Sequence, residues 1–193
     1  MHSVVNWDTV HEIPVKIRNI EDHVAFSGEK AYWLAGLSGG LGLSLCEWMI
    51  RRGARHIVIT SRDPKVAPSW VESMNALGAE VAVLPCDLTS NAQTNLIYDK
   101  ICSTMLPLGG VAQGAMVLQD IGFRDMSSDA MQKVLRPKVV GSINLERLVK
   151  GLDLDFFVFF SSATAIIGNA GQSNYSAANM FMTSLAEQRR QRG

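Results

Sequence analysis

The sequence predicts an α/β fold in which a parallel sheet is doubly wound, with helices on both of its faces. Two observations carry the prediction. Five short apolar runs, at 30–36, 56–60, 79–85, 109–115 and 154–161, alternate with longer stretches of helical periodicity. The last run, centred on FFVFF, is apolar without alternation, as expected of a strand covered on both faces. Strands that alternate with helices imply right-handed crossovers and parallel pairing.

In chain order, residues 1–27 are mixed and weakly periodic and read as a leader, the stub of a preceding subdomain. IPVKI (13–17) is a candidate short edge strand, since Pro14 suits an edge. KAYWLAG (30–36) is strand one. The helix that follows from Gly40 has an apolar stripe at Leu41, Leu45, Trp48 and Met49 and is closed by Gly53. HIVIT (56–60) is strand two. Residues 69–77 form a helix with Pro68 near its start and Gly78 at its end. AEVAVLP (79–85) is strand three, 90–104 is helical, and GGVAQGA (109–115) is strand four. Residues 127–150 form a long helix, interrupted or kinked at Pro137. Strand five (154–161) leads through a glycine-bearing loop to a last helix over 172–192.

The chain of 193 residues is 47% hydrophobic and 19% charged, enough for one packed domain and too apolar for disorder. Eighteen basic residues balance eighteen acidic ones, so composition points to neither nucleic acid nor an anionic membrane as partner. Cys46, Cys86 and Cys102 lack metal-ligand or redox spacing and read as reduced thiols of a cytoplasmic protein. The N-terminus has no apolar signal region, and no run spans a bilayer.

Between strand one and its helix lies Gly36-Leu-Ser38-Gly39-Gly40-Leu41-Gly42. Glycine belongs where the chain turns sharply and where a phosphate must approach the backbone. The free N–H groups of the next helix then face a pyrophosphate. This is the Rossmann-type signature in its proper place, and it predicts a dinucleotide site. Twenty residues past Gly42 stands Arg62, where an acid would hold an unphosphorylated ribose. Arg62, with Ser61 as a second donor, suits a 2′-phosphate and selects NADPH. After strand three, Asp87-Leu88 offers an acid to the adenine amino group; Asp87 also fits as the N-cap of the following helix.

The most informative stretch is FFVFFSSATAIIGNAGQSNYSAAN (156–179). Ser162 stands at the carboxyl end of strand five, where open α/β sheets place their ligands. Tyr175 and Asn179 are one helical turn apart on one face. A tyrosine held there beside a cation can transfer a proton, as carbonyl reduction requires.

With these residues assembled, the chain resembles a short-chain dehydrogenase/reductase, and within that superfamily the ketoreductase domain of a polyketide synthase, most closely the fungal iterative type. The resemblance rests on AYWLAGLSGGLG (31–42), RRGARHIVITSR (51–62), VLPCDLT (83–89), GGVAQGAMVLQD (109–120), RPKVVGSINL (136–145) and FFSSATAIIGNAGQSNYSAAN (159–179), in that order. Ordinary members carry lysine four residues after the tyrosine; here Asn179 takes that place and Lys138 lies on the preceding helix, an exchange typical of the polyketide enzymes. The resemblance implies Tyr175 as general acid, Ser162 as hydrogen-bond donor to the carbonyl oxygen, Lys138 as ribose ligand and modulator of Tyr175, and Asn179 as support of the proton relay. Gln113-Gly114-Ala115 resembles the segment lining the nicotinamide side, through its backbone more than through Gln113. Leu118-Gln119-Asp120 resembles a Leu-Asp-Asp motif, with Asp120 matched and Gln119 a departure. The tryptophan that marks the opposite stereochemical class would fall at Ile167. This implies a D-configured 3-hydroxyl product.

The family's fold continues past its tyrosine helix, so residues 28–193 are expected to be an NADP-binding ketoreductase domain truncated at its C-terminal part, with strand five left at an open edge. The implied substrate is the β-keto group of an intermediate tethered to an acyl carrier protein, within a megasynthase of secondary metabolism. Two alternatives stand beside it: a free-standing reductase of small ketones, and a truncated remnant that binds cofactor without catalysis. No metal site is expected.

Overall fold

The computed structural model describes residues 24–192; the candidate strand at 13–17 lies outside them. Strands β1 (Ala31–Ala35), β2 (His56–Ser61), β3 (Glu80–Pro85), β4 (Leu108–Gln113) and β5 (Phe156–Phe159) form one sheet in the order β3-β2-β1-β4-β5, parallel throughout. Helices α1 (Gly40–Arg51), α2 (Pro68–Ala76), α3 (Asn91–Thr104), α4 (Ser128–Val149), α5 (Thr164–Ile167) and α6 (Ser173–Arg192) follow the strands. Order reverses between β1 and β4, and the carboxyl ends of these two central strands frame the crevice where such sheets take ligands.

Local chemistry sets the boundaries. Pro68 occupies the first turn of α2, where its missing N–H costs nothing. Gly53 and Gly78 follow the ends of α1 and α2 with φ of 110° and 81°, the left-handed closure that glycine adopts without strain. Ser90 and Ser127 cap α3 and α4 by accepting from Gln93 N and Ala130 N. Asp87 is therefore not the cap of α3. Its carboxylate instead accepts from the Thr89 amide and hydroxyl, both at 2.9 Å, in a tight turn ahead of the helix.

Two apolar clusters, one on each face, make the core. Tyr32, Leu34, Ile57 and Ile59 meet α1 and α2, while Trp33, Val58 and Val111 meet α3 and α4. Every β1 residue is fully buried, and Trp33 Nε1 satisfies itself on Thr60 Oγ1 at 2.9 Å.

Three expectations need correction. The buried stripe of α1 is Gly42, Cys46, Met49 and Ile50, whereas Leu41 is 67% exposed and Trp48 lies at the boundary. Pro137 does not interrupt α4, which runs unbroken through it; the Pro137 carbonyl accepts the Gln113 side-chain amide at 2.9 Å. β5 is not covered on both faces. It pairs only with β4 among the described residues, and Val158 is 44% exposed. An apolar run is compatible with an edge position when one face still packs, as Phe156 does against Tyr32 with ring centroids 5.7 Å apart.

At the amino ends of the strands, Asp155 ties β5 to β1. It accepts from Lys30 Nζ at 2.5 Å and from the Tyr32 hydroxyl at 3.0 Å, and that hydroxyl in turn accepts from Ser27 N–H at 2.8 Å. Replacing Asp155 with Ala leaves the hydroxyl of the buried Tyr32 without its acceptor, so unfolding in denaturant is expected to need about 1–3 kcal/mol less. An unchanged midpoint contradicts this.

Candidate active site

The glycine turn divides its labour by position. Gly36 has φ of 72°, and a Cβ there would meet Ala115 at 2.5 Å, so it allows the end of β1 to pass close to the chain leaving β4. At Gly42 a Cβ would meet the Leu37 carbonyl oxygen at 1.8 Å, so glycine permits the contact of helix and turn. Gly39 and Gly40 face nothing within 4 Å. They leave open space at the start of α1, whose first-turn amide N–H groups lack helical partners and can serve an anion. Ser38 and Ser61 share a 2.8 Å hydrogen bond that joins this turn to the end of β2.

Beyond it lies a cleft of about 390 Å³, lined among others by Gly36, Ser61, Arg62, Asp87, Leu88 and Ala115. That volume suits a mononucleotide half of a dinucleotide. Arg62 borders the cleft, while its neighbour Asp63 pairs with Lys65 at 3.3 Å outside it. Leu88 is buried, and its carbonyl accepts from Asn144 Nδ2 of α4 at 2.8 Å. Gly114 is pressed on Leu37, where a Cβ would meet the side chain at 2.3 Å. The Gln113 side chain faces inward, fully buried. It donates to Pro137 O and accepts from Ala115 N at 2.6 Å, bracing the segment instead of reaching into the cleft. Leu41 projects from the first turn of α1.

Lys138, 2% exposed, is the one buried charged side chain among the described residues. Its ammonium donates to the Phe160 carbonyl at 2.8 Å and lies 5.4 Å from the centroid of the Tyr175 ring. Burial lowers its pKa to about 8. The unfolded chain then holds the proton more tightly than the folded one, so the penalty is full below pH about 8 and is relieved between there and 10.5. Relative to Lys138→Met, the unfolding free energy of the unaltered chain is expected to rise over that window by on the order of 3 kcal/mol. A pH-independent difference between the two in denaturant titrations refutes the assignment.

Tyr175 is half-buried, with its hydroxyl 3.9 Å from Met116 Sδ. Asn179, fully buried, donates to the Tyr175 carbonyl at 2.8 Å and leaves Oδ1 without a partner among the described residues. An open acceptor of that kind is a place for a water or a donor to complete the site. Lys138, Tyr175 and Asn179 thus come together. Ser162 makes no hydrogen bond to Tyr175; its hydroxyl accepts from the Thr164 amide at 3.3 Å and hydroxyl at 3.0 Å, at the start of α5. Asp120 accepts from Gln172 Nε2 at 2.9 Å, Gln119 O accepts from Asn174 Nδ2 at 3.0 Å, and Ile121 N donates to Gly171 O at 2.9 Å. These bonds seat the 119–121 loop directly ahead of Tyr175. Sequence reasoning missed the Phe160 carbonyl and Met116: a backbone oxygen has no residue signature, and a lone methionine in a loop reads as filler.

A parallel sheet with a glycine turn at its point of reversal, and a tyrosine held beside a buried lysine, defines a nucleotide-dependent oxidoreductase of the short-chain type. Comparison with known proteins narrows this. Residues 30–193 match the KR domain family. The chain is 52% identical over 191 residues to the polyketide synthase-nonribosomal peptide synthetase TwmB of Talaromyces wortmannii, covering 99% of this chain and 6% of that protein. It is 48% identical over 191 residues to the highly reducing polyketide synthase calA of Penicillium decumbens, again 99% of this chain and 7% of the relative. Among solved structures, a ketoreductase domain from the bacillaene assembly line superposes with a TM-score of 0.81 at 33% identity, covering 88% of this chain and 41% of that one. An N-terminal ketoreductase from the macrolactin assembly line gives 0.80 at 30%, covering 88% and 36%. The chain belongs to the KR domain family, the ketoreductase domains of polyketide synthases, whose members bind a nicotinamide cofactor. It spans a small fraction of the curated relatives it matches. Among the described residues no helix is long and apolar enough to cross a membrane, and no cluster could hold a metal ion.

Proposed function

We propose that this chain carries the catalytic and cofactor-binding residues of an NADPH-dependent β-ketoacyl reductase, and that residues 28–193 are its nucleotide-binding part. The substrate is the β-keto group of a polyketide intermediate carried by an acyl carrier protein within a cytoplasmic multidomain synthase. The single observation that carries the reading is the buried Lys138 ammonium over the Tyr175 ring at the carboxyl end of the sheet. The chain's residues fit the cofactor: Gly39 and Gly40 leave the backbone open to a pyrophosphate, and Arg62 and Ser61 border the cleft that would take the 2′-phosphorylated ribose.

When bound, the nicotinamide supplies a hydride to the carbonyl carbon. Tyr175 gives its phenolic proton to the carbonyl oxygen, so that the ketone becomes a secondary alcohol. Lys138 holds a positive charge beside the phenolate that remains and so lowers the cost of that transfer. Its bond to the Phe160 carbonyl fixes the ammonium there. Ser162 donates to the carbonyl oxygen and orients it, which requires its hydroxyl proton to turn from α5 toward the substrate. Asn179 offers its unpaired Oδ1 to a water that returns a proton to the site. Asp120, held by Gln172, sets which face of the ketone is presented, in favour of a D-configured hydroxyl.

The test is reduction of a β-ketoacyl thioester on an isolated acyl carrier protein, with the 3-hydroxy product resolved by configuration. NADPH consumption with formation of the D-alcohol is expected. Cofactor binding without any alcohol supports instead a remnant that only binds, favoured by no residue in the Lys138–Tyr175–Asn179 set.

A further inference from the structure

The cleft beside the glycine turn holds two cations to which the sequence reading gives no role. Lys133 and Arg136, three residues apart on α4, line it together with Arg62 from the end of β2. Arg62, Lys133 and Arg136 are all exposed, and none has an ion pair or hydrogen bond among the described residues. The one acid in the lining is Asp87, whose carboxylate is committed to Thr89. The cleft is thus walled by three unneutralised positive charges against one negative charge. The α4 wall is also firmly placed. Asn144 is bonded to the Leu88 carbonyl, Pro137 to Gln113, and a Cβ on Gly141 would approach Leu88 Cβ at 3.1 Å, so the helix sits tightly on the ends of β3 and β4. Cations left unpaired on solvent faces are common, but three that line one 390 Å³ cleft from two elements give it a positive potential that attracts a polyanion.

We propose that Lys133 and Arg136 are specificity-determining residues for the cofactor. They complete with Arg62 an electropositive wall that favours the 2′-phosphorylated dinucleotide over its unphosphorylated counterpart. The inference rests on the reductase reading above. The phosphate monoester adds about two negative charges to the ligand, so loss of two nearby cations weakens the phosphorylated form more. At exposed positions each contact is modest, so the double replacement Lys133→Gln/Arg136→Gln is expected to weaken NADPH binding about tenfold at low salt and NADH binding less than about twofold. It also flattens the dependence of NADPH affinity on ionic strength.

The experiment titrates the 193-residue chain with NADPH, NADH and 2′,5′-ADP by calorimetry, with circular dichroism to establish that each variant is folded. Lys133→Arg/Arg136→Lys keeps both charges and is expected to keep NADPH affinity within about threefold. Unchanged NADPH affinity in the Gln variant, or equal losses for NADPH and NADH, overturns the proposal while leaving the reductase reading intact. If the unaltered chain binds neither dinucleotide, both readings fall together.

Discussion

Replacing Tyr175 with Phe is expected to lower kcat by about a hundred- to ten-thousand-fold while NADPH affinity and fold stability stay close to those of the unaltered chain. The hydroxyl does little structural work. Its one hydrogen-bond partner among the described residues is the Met116 sulfur at 3.9 Å, a weak acceptor, and the ring that sits 5.4 Å from the Lys138 ammonium is kept in the variant. Removing the oxygen therefore deletes a proton donor and almost nothing else. A half-buried tyrosine retained only for packing behaves differently: its Phe variant reduces ketones at the original rate. Measuring kcat, cofactor Kd and the unfolding midpoint on the same preparation separates the two, because only a proton donor loses turnover alone.

Replacing Gly42 with Ala is expected to destabilise the chain by about 3 kcal/mol and to weaken NADPH binding by more than about tenfold. The added methyl would sit 1.8 Å from the Leu37 carbonyl oxygen and 2.6 Å from its carbon. Both are backbone atoms of the turn, so no side-chain rotation relieves the overlap, and α1 must move away from the crevice. Gly40→Ala is the informative partner. A Cβ there meets no protein atom within 4 Å, so stability is expected to stay within about 1 kcal/mol while NADPH affinity falls, because the methyl occupies space that a pyrophosphate needs. Denaturant unfolding and fluorescence titration of both variants check the division. Equal stability losses, or unimpaired NADPH binding in Gly40→Ala, contradict it.

Most of the fold could be read in advance because its signals are local. The β-branched run at 56–60 became β2, Pro68 opened α2, and Gly53 and Gly78 closed their helices. What escaped depends on neighbours that no local pattern encodes. FFVFF has the composition of a strand covered on both faces, but coverage is decided by what packs above and below β5, and Val158 is 44% exposed. Leu41 fits an apolar stripe, yet it is 67% exposed, and Gly42, Cys46 and Ile50 join the expected Met49 on the buried side of α1. Asp87 has the residue type of a cap, but Ser90, three positions on, has the better geometry for it. At the site, the i and i+4 spacing of Tyr175 and Asn179 was legible. The approach of Lys138 was legible only through the family resemblance, because no local spacing brings α4 to the Phe160 carbonyl that receives the ammonium. Arg136 and Lys133 carry no such local signal: each is an ordinary helix cation until the fold makes it line the same cleft as Arg62.

The most direct measurement follows a label. The chain is incubated with NADPH carrying deuterium at the transferable position of the nicotinamide and with a β-ketoacyl thioester, and the product is analysed by mass spectrometry. A reductase built on Tyr175, Lys138 and the 36–42 turn places one deuterium on the carbon that bears the new hydroxyl, and the Tyr175→Phe variant forms this labelled alcohol at least about a hundredfold more slowly. Unreduced thioester from a chain that demonstrably binds NADPH, or label incorporated equally with and without the Tyr175 hydroxyl, contradicts it.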